Sequence, residues 1–231
     1  MMLTSDELTG LIDGLAGLPY GGEAVDQRRH ALQCAGQAVA AGADDELVLA
    51  AVLHDIGRAE PVRAEFPGLP HEQAGEAFAR ARVGEGVGWL IGQHVPAKRY
   101  LVAVDKAYFG QLSPASVRSL ERQGGPMDAA EVAQFGSHPR AEDAVALRRW
   151  DEAAKDAEDP GLPMPELLRI FDRYRAAGTR SWHRIRPEMM TWDTLRPSEG
   201  AKYPTSVLCP GARRLCGDRG AGCPASRCAA G

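Results

Sequence analysis

Residues 44–57 read Asp44-Asp45-Glu46-Leu47-Val48-Leu49-Ala50-Ala51-Val52-Leu53-His54-Asp55-Ile56-Gly57. Three acids suit the positive end of a helix, and the run that follows has no polar face. A helix that is apolar all round belongs in the interior. It delivers an adjacent histidine and aspartate there, where an unpaired carboxylate is costly. Something positively charged should therefore meet Asp55. Successive helical positions point about a quarter-turn apart, so His54 and Asp55 can address neighbouring metals from one turn. A carboxylate has two oxygens and can bridge two cations, which imidazole cannot do.

Helical punctuation continues on both sides of this segment. Thr4-Ser5-Asp6-Glu7 is a capping box, with Leu8, Leu11 and Ile12 behind it at helical spacing. A second helix is expected from about Ala24 to Ala41, with Ala31, Cys34, Ala35 and Ala38 inside and Gly42 as its stop. His71 to Arg82 reads as an Ala-rich helix. Val87 to Ile91 leads to His94, and Pro96 is expected to shift the helix start beyond that residue. Ser113-Pro114 opens a helix that Gly124-Gly125 stops. Asp128 with Glu131 caps the next, Glu142 to Lys155 follows, and Pro165 to Tyr174 is the last. No alternating strand pattern of useful length occurs. The expected fold is all-α, a helical bundle.

The 231 residues are 44% hydrophobic and 25% charged, with a formal net charge of −4. That composition suits a globular chain with one core. No apolar run approaches the roughly 18 residues of a membrane span. The acidic start MMLTSDELTG does not read as a secretory signal, so a cytoplasmic location is expected. A slightly acidic chain offers no broad basic surface to nucleic acid. The composition divides the chain into residues 1–175 and a Gly/Pro/Arg/Cys-rich tail, 176–231, expected to be poorly ordered. Cys209, Cys216, Cys223 and Cys228 fall in that tail, without the paired spacing of a zinc ribbon and with no histidine among them.

His30, His54, His71 and His94 fall in or beside expected helices. One such histidine is ordinarily a satisfied structural group. Four of them with Asp55 form a candidate metal site. The helix carrying Ala144, Leu147 and Ala154 also bears Asp151, three residues after Arg148 on one face. His138 and His183 read as surface residues.

This order of residues resembles the HD-domain superfamily, helical bundles with mono- or dinuclear metal sites. Tyr20-Gly21-Gly22-Glu23-Ala24-Val25, Gln27, His30-Ala31-Leu32-Gln33-Cys34, His94-Val95, Ala97-Lys98-Arg99-Tyr100-Leu101, Leu112-Ser113, Ser116, Ser119-Leu120, Gln123-Gly124-Gly125-Pro126-Met127 and Arg149-Trp150-Asp151 narrow it. Over roughly residues 16–175 they resemble the phosphonate-degrading HD-domain oxygenases, with myo-inositol oxygenase a more distant relative. The resemblance implies two irons in a mixed-valent Fe(II)/Fe(III) state. One would be held by His30, His54, Asp55 and Asp151, the other by Asp55, His71 and His94, with Asp55 as bridge. It implies O2 as co-substrate and a small hydroxyphosphonate substrate, while charge and hydropathy give the expectation of no nucleic-acid or membrane partner. A monomer is expected, with a homodimer as the alternative.

On the substrate side the resemblance places Lys98, Ser116 and Arg148 around a phosphonate. Physical chemistry adds that Ser116 lies in a helix's first turn and that Arg148 offers a planar fork. Tyr20 and Glu23 match residues that in such enzymes cover the open iron and, on binding, withdraw or reach towards an amino group, a role that stands beside simple loop packing of Tyr20 and a first-turn Glu23 facing a helix dipole. Lys98, Tyr20 and Glu23 are thus the catalytic candidates. The sequence departs from the family at Arg58, where such enzymes commonly carry a histidine near the substrate. An arginine there implies more positive charge or a different substrate outline. The implied reaction is oxidative cleavage of the carbon–phosphorus bond of a 1-hydroxyphosphonate to a carboxylate and phosphate. With 2-amino-1-hydroxyethylphosphonate the product would be glycine. A metal-dependent phosphohydrolase acting on a small phosphate ester, and a phosphonate-binding protein without turnover, are the alternatives.

Overall fold

The computed structural model describes residues 2–182 of the chain, with side chains described as far as residue 178. Its helices are α1 (Ser5–Asp13), α2 (Gln27–Ala40), α3 (Asp45–Leu53), α4 (Glu60–Glu65), α5 (His71–Arg82), α6 (Glu85–Val104), α7 (Lys106–Phe109), α8 (Pro114–Arg122), α9 (Ala129–Gly136), α10 (Ala141–Ala153) and α11 (Met164–Trp182). A single 3-10 turn, Ile56–Arg58, follows α3. There is no strand among the described residues, so the all-α expectation holds. One isolated bridge between Pro19 and Asp26 closes the loop that carries Tyr20 and Glu23.

The all-apolar helix is the centre of the bundle. Every residue from Leu47 to Leu53 is buried, and α3 packs against α2, α6, α10 and α11. Asp44 caps it by accepting the Leu47 N–H. On α2 the inward face is Ala31, Cys34, Ala35 and Ala38, small side chains that let its backbone come close to α3. The capping boxes at Thr4 and at Asp128 both form. No helix of the described residues is long and apolar enough to cross a membrane.

Several boundaries differ from the sequence reading. Pro96 does not shift the start of α6; it lies inside that 20-residue helix. Such a proline costs about 3 kcal/mol or more, and α6 offsets it by packing against α3, α5, α9 and α10. The short helices α4 and α7 lie where the sequence shows no apolar period. Helix α11 runs past Tyr174 to Trp182, because Arg175, Ala176 and Ala177 favour helix after the apolar stripe has ended. The four late cysteines and His183 lie outside the described residues. His138 is exposed, as expected, and stacks on Trp89 at 3.9 Å between ring centroids.

Gly57 decides how the 3-10 turn meets α5. A Cβ built on it would stand 1.9 Å from the His71 carbonyl oxygen. Only a glycine allows the start of α5 to lie against this turn, and that start is His71 itself.

Candidate metal centre and anion pocket

Two groups of side chains converge in the middle of the bundle. His30 from α2, His54 at the end of α3 and Asp151 from α10 offer ligand atoms that all lie within 4.8 Å of one another. Asp55, His71 and His94 form a second group under the same limit. His30 Nε2 and His54 Nε2 are 3.0 Å apart, and Asp151 Oδ1 is 3.3 Å from the first and 3.7 Å from the second. In the other group His71 Nε2 lies 3.2 Å from His94 Nε2, with Asp55 Oδ1 at 3.0 Å and 3.8 Å from them.

The outer nitrogens of these rings show what the inner ones are for. His30 Nδ1 lies 2.8 Å from the Ala154 carbonyl, His54 Nδ1 2.8 Å from Ala51 and His94 Nδ1 2.7 Å from Ile91. A carbonyl oxygen only accepts, so each Nδ1 carries the hydrogen. His71 Nδ1 faces Glu72 Oε2 at 3.0 Å in the same sense. In a neutral ring Nε2 is then a bare lone pair. Pairs of such lone pairs face each other at 3.0–3.2 Å beside carboxylate oxygens, in a buried site. That arrangement repels itself unless a cation lies between, and an outward Nδ1–H on a carbonyl or carboxylate is how metal-binding imidazoles are oriented. Asp55 Oδ1 is buried without a hydrogen bond, a further orphan that a cation would satisfy. The donor set fits two metal ions.

The electrostatics mark the same groups. Burial would lower the His54 pKa, but Cys34 and Asp151 outweigh it and raise it well above its ordinary value, a proton there standing in for the cation. Burial pushes the His94 ring well below its ordinary pKa and the neighbouring His71 adds to this, so it stays neutral and able to ligate. Burial alone would raise both carboxyls. Arg58 and His71 outweigh it at Asp55, and Arg148 and His54 at Asp151, holding both well below the usual range and ionised.

A cavity of about 240 Å³ opens beside these groups. Tyr20 forms one wall: its ring stacks on His30 at 3.8 Å and its hydroxyl donates to Asp151 Oδ1 at 2.9 Å. Opposite lie Lys98, Ser116 and Arg148, all buried. Lys98 Nζ donates to Ser119 Oγ at 2.7 Å, and Ser116 Oγ donates to Glu152 Oε2 at 2.7 Å. The Arg148 guanidinium is forked between Asp151 and Glu152. Glu152 also accepts the Ser113 N–H at 3.0 Å and the Lys155 ammonium, tying α10 to the start of α8.

No family model matches the chain. Named relatives do. It is 37% identical over 180 residues, 73% of this chain and 90% of the relative, to a [1-hydroxy-2-(trimethylamino)ethyl]phosphonate dioxygenase (glycine-betaine-forming) of Leisingera caerulea. It is 42% identical over 157 residues, 65% of this chain and 77% of the relative, to a hydroxymethylphosphonate dioxygenase of Gimesia maris. The chain belongs to the phosphonate dioxygenase family. An uncharacterized protein of Acanthamoeba polyphaga mimivirus is also similar, 30% identical over 181 residues, 75% of this chain and 83% of that one.

In this dioxygenase the residues singled out in the sequence gather at one place. The cavity is lined by Tyr20, Glu23, Asp55, Arg58, His71, His94, Lys98, Ser116, Arg148 and Asp151, among others, while His30 and His54 lie fully buried in the metal group next to it. Two contacts stand beside the sequence reading. Asp55 groups with His71 and His94, and its Oδ2 meets Arg58 Nε at 3.0 Å. Glu23 lines the cavity and lies 3.5 Å from Lys155 Nζ. Sequence reasoning missed Glu152, although its place four residues after Arg148 allows the pair. Glu72 was missed because it matters only through His71.

Proposed function

We propose that the chain cleaves the carbon–phosphorus bond of a 1-hydroxyphosphonate with O2 at a di-iron centre. One molecule of hydroxyphosphonate and one of O2 give a carboxylate and inorganic phosphate. The substrate gives up the four electrons that O2 takes, so no further reductant is needed. The observation that carries this reading is the pair of histidine–aspartate groups, lone pairs inward, opening onto a cavity with buried cations. The names of the two relatives supply the reaction class.

His30, His54 and Asp151 would hold one iron and His71 and His94 the other, with Asp55 shared. Imidazole and carboxylate together suit iron, which when bound supplies the activation of dioxygen. The chain's own residues do the rest. Lys98, Ser116 and Arg148 grip the phosphonate. That grip turns the hydroxyl-bearing carbon towards the metals and fixes its orientation. Arg148, shared between Asp151 and Glu152, couples the anion site to one metal group. Tyr20 shields Asp151 and His30 from water. Burial, with the Asp151 charge beside it, raises the Tyr20 pKa well above its ordinary value, so its hydroxyl remains a donor.

The test uses iron-loaded protein with hydroxymethylphosphonate. Oxygen uptake should match phosphate release one to one, with no phosphate formed under nitrogen. Phosphate appearing without oxygen would point to hydrolysis and overturn the reading.

A further inference from the structure

The four imidazoles turned inward are not held alike. His30, His54 and His94 rest Nδ1 on the carbonyls of Ala154, Ala51 and Ile91, oxygens fixed by the main chain, and all three rings are buried. His71 differs on both counts. Its Nδ1 meets a side chain, Glu72 Oε2 at 3.0 Å, and its own side chain is 17% exposed. It opens α5, where Pro70 supplies no side-chain cap. The other face of the ring tells where its hydrogen lies. Arg58 Nη2 stands 3.1 Å from His71 Nε2. A guanidinium only donates, so Nε2 accepts and the ring hydrogen is on Nδ1, aimed at the Glu72 carboxylate.

Glu72 has no other ion-pair partner among the described residues. It does not line the cavity that holds Lys98, Ser116 and Arg148; it faces a separate cleft, with Glu76 and Arg99. Any effect it has on the metal groups must therefore pass through His71. An acid in the first turn of a helix also suits the helix dipole. That role needs only charge near the helix start. Contact with the Nδ1 of a candidate ligand needs reach as well, and substitutions separate the two.

We propose that Glu72 is a positioning residue for His71 and sets the Asp55, His71 and His94 group apart from the other. A carboxylate behind a metal-binding imidazole fixes the ring's orientation and makes it the stronger base. His30 and His54 have neutral carbonyls behind them, so the group they form with Asp151 does not depend on Glu72. The affinity of one metal is thus set by a side chain that is neither a ligand nor a neighbour of the substrate. This inference rests on the reading above, that both groups hold iron.

The experiment titrates the iron(II)-loaded full chain with a chelator under nitrogen and reads the iron retained per chain. Wild type should start with two irons. Glu72→Ala should weaken one of them by about tenfold to a hundredfold, the range for loss of such an outer partner, and leave the other unmoved. Glu72→Gln keeps an acceptor oxygen at Nδ1 and should weaken it less. Glu72→Asp keeps the charge in the first turn but draws it back from Nδ1, and should weaken it as alanine does. Added to His94→Ala, which dismantles that group, Glu72→Ala should change nothing; added to Asp151→Ala, its full effect should remain. Two irons of unchanged affinity in Glu72→Ala, equal weakening of both, or full rescue by Glu72→Asp would overturn the proposal and leave the two-metal reading standing. A wild type that takes up fewer than two irons would overturn both.

Discussion

Lys98 shows how much of this site depends on single charges. Burial, with Arg148 nearby, lowers its ammonium from 10.5 to about 8. The cation proposed to hold the phosphonate is thus present below about pH 8 and lost above it. KM for a hydroxyphosphonate should rise about tenfold per pH unit past that point, while kcat changes little. Lys98→Arg should move this limb out of range, because a guanidinium stays charged. A pH profile identical in wild type and variant would remove Lys98 from binding. Glu152 acts one contact further out: it orients Ser116, Arg148 and Lys155 together. Glu152→Gln keeps the shape and removes the charge, and should raise KM roughly tenfold, since a hydrogen bond to a charged group contributes about 1.5–3 kcal/mol. Helix content by circular dichroism should not change; a parallel fall in kcat and helicity would show a structural role. His54 and Asp55 were legible because they follow a helix with no polar face, where an unpaired carboxylate demands a cation, whereas Asp151 entered through the family resemblance. Glu152 and Glu72 were not, because nothing in a linear pattern separates a carboxylate that orients a neighbour from one in solvent.

At the scale of elements, the contact between the 3-10 turn and α5 links packing to chemistry. Asp55 lies two residues past α3, and His71 begins α5. They reach 3.0 Å only because Gly57 presents no side chain to the His71 backbone. Gly57→Ala must push α5 away from the turn. It should lower stability by about 2–4 kcal/mol, in the range of overpacked core sites. It should also loosen metal at the Asp55, His71 and His94 group ahead of the other, so metal per chain in the folded variant should fall by up to half. An unchanged metal content with an unchanged melting temperature would show that the turn yields without moving His71. The helices that position ligands were readable where caps and apolar period agreed, as in α3 and α5. Pro96 was misread because propensity speaks for a residue alone, whereas α6 is held along its length by neighbours. The helices α4 and α7 are too short to show a period at all.

At the scale of the whole molecule, the centre of the bundle is an electrostatic conflict that metal resolves. His30, His54, Asp55, His94, Lys98, Arg148 and Asp151 are all buried between the packed helices. Apolar burial around α3 brings these helices together, and the facing lone pairs and carboxylates oppose it unless cations are bound. Bound metal therefore contributes to folding, by RT ln(1 + [M]/Kd) for a species that binds the native state alone. At a hundredfold excess over Kd this is about 2.7 kcal/mol per site, and a chain of this size shifts by about 2–4 °C per kcal/mol. Chelation under nitrogen should thus lower the melting temperature by about 5–10 °C or more, and iron(II) should restore it. The Asp55→Ala variant should melt at one temperature whether or not chelator is present, since it has lost the shared ligand. The result that would count against this coupling is a melting temperature indifferent to chelator in the wild type while iron content falls to zero. That outcome would mean the apolar bundle holds the ligands in place unaided, with the repulsion among them relieved by protons in place of metal.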